Sequence, residues 1–170
     1  MSNTLKANEY NAYYSPYVMP VKDAPLLELL SNSLDTTVAF FHSLNKDKLE
    51  YTYAPGKWTP KEILQHLIDT ERVFSYRALF IARAIHTDLK GFDQDEFAET
   101  VQANQFTRES LLEDYIAVRK ASITLFKSFS SETLLRIGKA SGSDISVRAC
   151  GYILCGHEKH HCQIINERYL

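Results

Sequence analysis

Apolar residues recur every three or four positions through most of this chain, which is the period of a helix that buries one face. Leu27, Leu30, Leu34, Val38 and Phe41 mark a first helix from about Asp23 to Leu44, with Asp23 as its cap and Pro25 in its first turn. A second helix has the sharpest start. Thr59-Pro60-Lys61-Glu62 is a capping box, and Ile63, Leu67, Phe74, Ala78, Ile81 and Ile85 then repeat to about His86. A third runs from near Thr107 to about Phe129, with Leu111, Tyr115, Ile116, Val118, Ile123 and Phe126 inward. After a turn at 131–137 and the breaker Ser141-Gly142-Ser143-Asp144, a fourth runs from about Ile145 to Tyr169.

No strand-like alternation stands out. Four amphipathic helices without a sheet predict an all-α four-helix bundle. The polar stretch from Thr87 to Phe106 is long for a loop in a compact domain, and such loops are often functional. Its length also permits a crossover from one end of the bundle to the other. Residues 1–22 hold Tyr10, Tyr13, Tyr14 and Tyr17 with Pro16 and Pro20, too apolar for a solvated tail. They read as an arm lying on a single domain that spans residues 1–170.

The polar positions that interrupt the apolar faces carry the chemistry. At about 100° per residue, with Ile153 as zero, His157 falls at about 40° and His161 at about 80°, inside the apolar face of the fourth helix. His160 lies at its edge. On the second helix His66 borders the inward face beside Thr70 and Val73. One buried histidine is most simply a satisfied core residue. Three together cost desolvation three times unless they share a purpose. Three imidazoles suit zinc, nickel or a similar divalent ion, and three ligands plus one open position is the pattern of a catalytic site. Asp69 and Glu158 are candidates to support the ligands from behind.

Composition narrows the partners. Lys and Arg number 19 against 21 Asp and Glu, and no basic stripe appears, which argues against a nucleic-acid binder. No apolar run is long enough to span a bilayer, and the start of the chain (Met1 to Lys6) lacks the pattern of a signal peptide. Cys150, Cys155 and Cys162 are an odd set in one short segment, not a disulfide framework. A cytoplasmic protein is expected. Cys150 faces inward, whereas Cys155 and Cys162 fall on the far side of the fourth helix, as free thiols or at a subunit contact.

Several segments in one order resemble the DinB-like superfamily, the DinB/YfiT-like metalloenzymes. They are Glu9-Tyr10 with Tyr17, then Lys57 to Glu62 leading into His66-Leu67-Ile68-Asp69-Thr70-Glu71-Arg72, then Tyr76-Arg77-Ala78 and Gly91-Phe92-Asp93-Gln94-Asp95. Ser146-Val147-Arg148, Gly156-His157-Glu158 with His160-His161, and the ending Glu167 to Leu170 complete the set. The resemblance implies up-down-down-up helix order and a divalent metal, usually nickel or zinc, on His66, His157 and His161. His160 is the extra histidine of the motif and is not carried over as a ligand. It also implies a homodimer, expression in stress responses, and relatives that use bacillithiol, glutathione or mycothiol.

The expected function is therefore a metal-dependent enzyme that transfers a low-molecular-weight thiol to a small electrophilic substrate. Arg77, Arg119 and Arg148 are candidate anchors for carboxylates of that thiol or substrate. One alternative is a metal-dependent hydrolase, with Glu158 as a base if its side chain turns inward from about 140° on the wheel. The other is a metal-binding stress-response protein without catalysis.

Overall fold

The computed structural model describes residues 5–170, so the first four residues of the expected arm lie outside it. Seven helices follow in order: α1 (Ser15–Val18), α2 (Leu26–Ser43), α3 (Pro60–Arg83), α4 (Gln94–Val101), α5 (Arg108–Lys127), α6 (Ser131–Leu134) and α7 (Val147–Arg168). The four long ones, α2, α3, α5 and α7, form the bundle.

Paired side chains fix their directions. Between α3 and α5 the partners rise together: Arg72 with Asp114, Glu71 with Arg119, Ser75 with Ser122. These two helices are parallel. Between α2 and α7, Ser33 meets Cys155 and Leu26 lies against Gly151, again parallel. Across α2 and α5 the order reverses, since Arg119 reaches Leu30 while Arg108 reaches Leu44. Across α3 and α7 it reverses too, with His66 beside His157 and Trp58 beside Tyr169. The order is up-down-down-up, and the chain between α3 and α5 must return along the bundle.

That return is not a bare loop. It holds β1 (Asp88–Leu89) and α4, whose start is capped by Asp93 accepting from the Asp95 and Glu96 amides. β1 pairs in parallel with β2 (Ile137–Ala140), which turns through Ser141 and Gly142 into antiparallel β3 (Ser143–Ser146). Both turn residues have positive φ, 53° and 74°, the conformation of a tight hairpin turn. The expectation of no sheet is corrected here. In β2 burial does alternate, but the buried positions are Gly138 and Ala140, so no alternation of large apolar residues marks the strand.

Helix boundaries differ where a proline or a distant partner intervenes. α2 begins at Leu26 after Pro25, and Asp23 pairs with Lys22 instead of capping. α3 stops at Arg83, because the Arg136 guanidinium donates to the Ala82 and Ala84 carbonyls at 2.7 and 2.8 Å. Ile85, expected inward, is 91% exposed.

The first half of α7 is buried on every side, from Val147 through Glu158. Cys155, placed on an outward face by the helical wheel, is therefore enclosed by α2, and Cys162 is half-buried. The arm closes the last side of α7. Val18 and Val21 enter the core, and a Cβ at Gly156 would collide with the Tyr17 carbonyl oxygen. Glu9 anchors the arm, accepting from Arg148 Nε and Nη2 at 2.7 and 2.5 Å and from Ser146 Oγ at 2.8 Å.

Candidate metal centre

α3 carries His66 four residues beyond its capping-box glutamate, and α7 carries His157 and His161 on one face a turn apart. Antiparallel packing of these two helices brings the three rings together. His157 Nε2 lies 3.1 Å from His66 Nε2 and 3.0 Å from His161 Nε2. Donor atoms of all three lie within 4.8 Å of one another. His66 and His157 are buried, and His161 is half-buried.

Burial holds the rings neutral. It lowers His66 to about 4 and His161 to about 3, and it drives His157 well below the ordinary imidazole value, helped by the neighbouring His161, His66 and His160. Neutral imidazoles are what a metal requires. The donor set fits an ion on a second ground. His157 Nε2 has either one proton or one lone pair, so hydrogen bonding can satisfy only one of its two facing nitrogens. A cation between the rings meets all three lone pairs. Nitrogens at about 2.0–2.1 Å from a tetrahedral zinc stand roughly 3.3 Å apart, close to the spacing seen here.

The triad closes one end of a cavity of about 290 Å³. Aromatic residues wall it: Trp58 lies tilted against His66 with ring centres 4.8 Å apart, Tyr17 stands edge-on 5.1 Å from His157, and Tyr14 packs on Phe74. Phe92 and Gln94, from the segment before α4, also line it, so the long connection covers the site. Thr70 and Arg77 supply the polar lining, together with Ser141 of the hairpin turn.

The other sequence candidates lie elsewhere. His160 packs on Tyr17 and His161 but stays outside the nitrogen cluster. Arg119 is enclosed with Glu71 and Glu158, and Arg148 holds the arm through Glu9; neither lines the cavity. Glu158 accepts from Tyr115 Oη at 2.5 Å and Arg119 Nη2 at 2.8 Å, on the opposite side of α7 from the histidines. Asp69 accepts from Gln65 and pairs with Arg72, and burial raises its carboxyl. The sequence alone assigns no site role to Thr70, Trp58 or the arm tyrosines. Thr70, four residues after His66, was readable from helical spacing. The tyrosines depend on tertiary packing.

A neutral histidine triad in an up-down-down-up bundle defines the class of protein. The chain belongs to the DinB superfamily, whose family model matches residues 29–165. A protein of Oceanobacillus iheyensis named "Putative metal-dependent hydrolase OB0782" is 28% identical over 153 residues, covering 89% of this chain and 83% of its own. Among solved structures, YfiT from Bacillus subtilis superposes with a TM-score of 0.71 at 15% identity, over 96% of this chain and 91% of that one. YfiT is described as a probable metal-dependent hydrolase with an unusual four-helix bundle topology, and its likeness to this chain is one of fold.

Proposed function

We propose that the chain is a divalent-metal enzyme that transfers a low-molecular-weight thiol to an electrophilic small molecule. His66, His157 and His161 hold the ion, nickel or zinc. The observation that carries this choice is the cavity lining: among the described residues lining it, none is a carboxylate. A bound divalent ion supplies a Lewis acid that favours the ionised form of a thiol or water beside it. A thiol, with an ordinary pKa of about 8.5, is already partly ionised near neutral pH, and a bound ion would raise that fraction, so its attack needs no protein base. In the transfer, sulfur forms a bond to the electrophilic carbon, the thiol proton passes to water, and the leaving group departs with its bonding pair. The aromatic walls exclude water and hold the apolar part of the electrophile.

Hydrolysis is the second reading, favoured by the name of the Oceanobacillus relative. Glu158, its candidate base, is occupied by Arg119 and Tyr115. The homodimer implied by the family resemblance belongs to the proposal and is tested by sedimentation equilibrium. No described helix is long and apolar enough to cross a membrane.

Elemental mass spectrometry of untagged protein, followed by turnover assays, tests the choice. Consumption of chlorodinitrobenzene that needs bacillithiol or glutathione, and is lost in His157→Ala, is expected. Hydrolysis of nitrophenyl esters without thiol would move the assignment to the second reading. Stoichiometric metal with neither activity would leave a metal-binding protein without catalysis.

A further inference from the structure

Arg77 is 2% exposed. Its Nη2 donates to Ser141 Oγ at 2.8 Å, and its guanidinium lies 4.7 Å from the Phe74 ring centre and 5.7 Å from that of Phe92. Among the described residues no carboxylate stands within ion-pair distance of it. The titratable groups beside it are Tyr14 and Cys150. Burial raises both, Cys150 to about 12, so neither offers a negative charge. An enclosed cation without a counter-charge costs several kcal/mol. Such a charge is retained where something outside the chain neutralises it.

The position of the charge says what that is. Arg77 lines the same cavity as the triad. On α3, His66, Thr70, Phe74 and Arg77 follow one another at four, four and three residues, so they form one stripe. At 1.5 Å per residue the stripe covers about 16 Å of helix axis. Along it the chemistry changes from imidazoles, through a hydroxyl and an aromatic ring, to a guanidinium. The hydroxyl is unfilled: Thr70 Oγ1 is the one buried side-chain polar atom among the described residues without a hydrogen-bond partner.

We propose that the cavity binds an elongated small molecule with a carboxylate at the end away from the histidines. The carboxylate pairs with the Arg77 fork, which matches it in shape and charge. An apolar middle lies on Phe74 and the arm tyrosines, with Thr70 Oγ1 free to bond a polar atom along its length. The far end reaches the triad. This deepens the thiol-transfer reading and rests on it for the reacting end; the Arg77 end stands on the geometry of the cavity.

Trp58 is the single tryptophan of the chain and lines this cavity, so its fluorescence reports occupancy. Metal-loaded protein is titrated with phenylbutyrate and with the uncharged phenylbutyramide. Wild type is expected to favour the carboxylate by about tenfold or more, roughly the value of one charge-assisted pair. Arg77→Met should erase that preference by weakening carboxylate binding far more than amide binding, and Arg77→Lys should keep part of it. A preference that survives Arg77→Met would overturn the proposal, because the carboxylate would then sit at the triad. No preference in wild type, including no binding at millimolar ligand, would overturn it whatever the folding of the variant. His157→Ala separates the two proposals. Arg77-dependent preference in that protein keeps the anion site even if the metal reading fails.

Discussion

His157 and Glu158 are consecutive residues of α7, both buried, and they look into regions built on opposite terms. On the Glu158 side Arg119 donates Nε and Nη2 to Glu71 at 2.7 and 2.9 Å and Nη2 to Glu158, while Nη1 reaches Ser33 and Tyr115 completes the set. Each charge there has its partner inside the protein. On the His157 side three imidazole nitrogens share one point, the Thr70 hydroxyl has no partner, and a cavity adjoins them. The two arginines repeat the contrast. Arg119 is saturated by carboxylates, and Arg77 meets a serine hydroxyl and two aromatic rings. A closed polar network specifies how helices pack, and an open one of equal burial is where a ligand belongs.

The open side breaks most completely when a ring is removed. His66→Ala, His157→Ala and His161→Ala are each expected to drop bound metal from about one ion per chain to nearly none, since two ligands hold an ion far less tightly than three. Helical circular dichroism should stay largely intact. His160→Ala should retain the ion. Equal retention in all four proteins would refute the triad.

The closed side breaks through stability. Arg119→Met strands Glu71 and Glu158 without their cation, and the expected loss is about 3–5 kcal/mol in urea unfolding. The same substitution at Arg77 strands no carboxylate. It forfeits the Ser141 hydrogen bond and the aromatic contacts but also removes an enclosed cation that has no counter-charge, so a net loss of at most about 1 kcal/mol is expected. Equal losses at the two sites would erase the distinction between them.

Much of this contrast was legible in the sequence, and the illegible part has a pattern. The four long helices and the inward turn of His66, His157 and His161 follow from helical periodicity, a local property. The helical wheel assumes one buried face, and it misplaced Cys155 because α7 is enclosed by α2, α3 and the arm together. Asp93 capping α4 was readable, since an acidic residue precedes Gln94-Asp95-Glu96, but a short helix without buried residues leaves no apolar stripe. β2 was hidden by Gly138 and Ala140, which fill inward positions with almost no side chain, and β3 is only four residues long. Arg77, Arg119 and Arg148 are alike in sequence, and only tertiary contacts show which of them meets an acid.

Acid titration sharpens the open side. His66 is held at about 4, below the ordinary 6.5, so between those values the unfolded chain binds more protons at this position than the folded one. The His66 contribution to the stability of the metal-free protein therefore falls as pH is lowered from about 6.5 toward 4, and that contribution stops changing below 4. Relative to His66→Ala, which lacks the group, the slope should be at most about 1.4 kcal/mol per pH unit. A pH-independent difference between the two proteins would mean that the ring is hydrated and unperturbed.

The smallest effect tests whether the triad depends on helix register or on the rings alone. Thr59 Oγ1 accepts from the Glu62 amide at 3.2 Å, and Glu62 Oε2 accepts from the Thr59 amide at 2.7 Å, so the box fixes the start of α3 less than two turns before His66. Thr59 Oγ1 also donates to Asn104 Oδ1 at 2.8 Å, tying that start to the segment entering α5. Thr59→Ala should cost about 1 kcal/mol in unfolding, the usual worth of a cap. Tertiary packing of α3 on α7 and α5, not the cap, holds His66 opposite His157, so metal stoichiometry should not change. Loss of metal in Thr59→Ala at unchanged global stability would show that fraying of the first turn reaches the site.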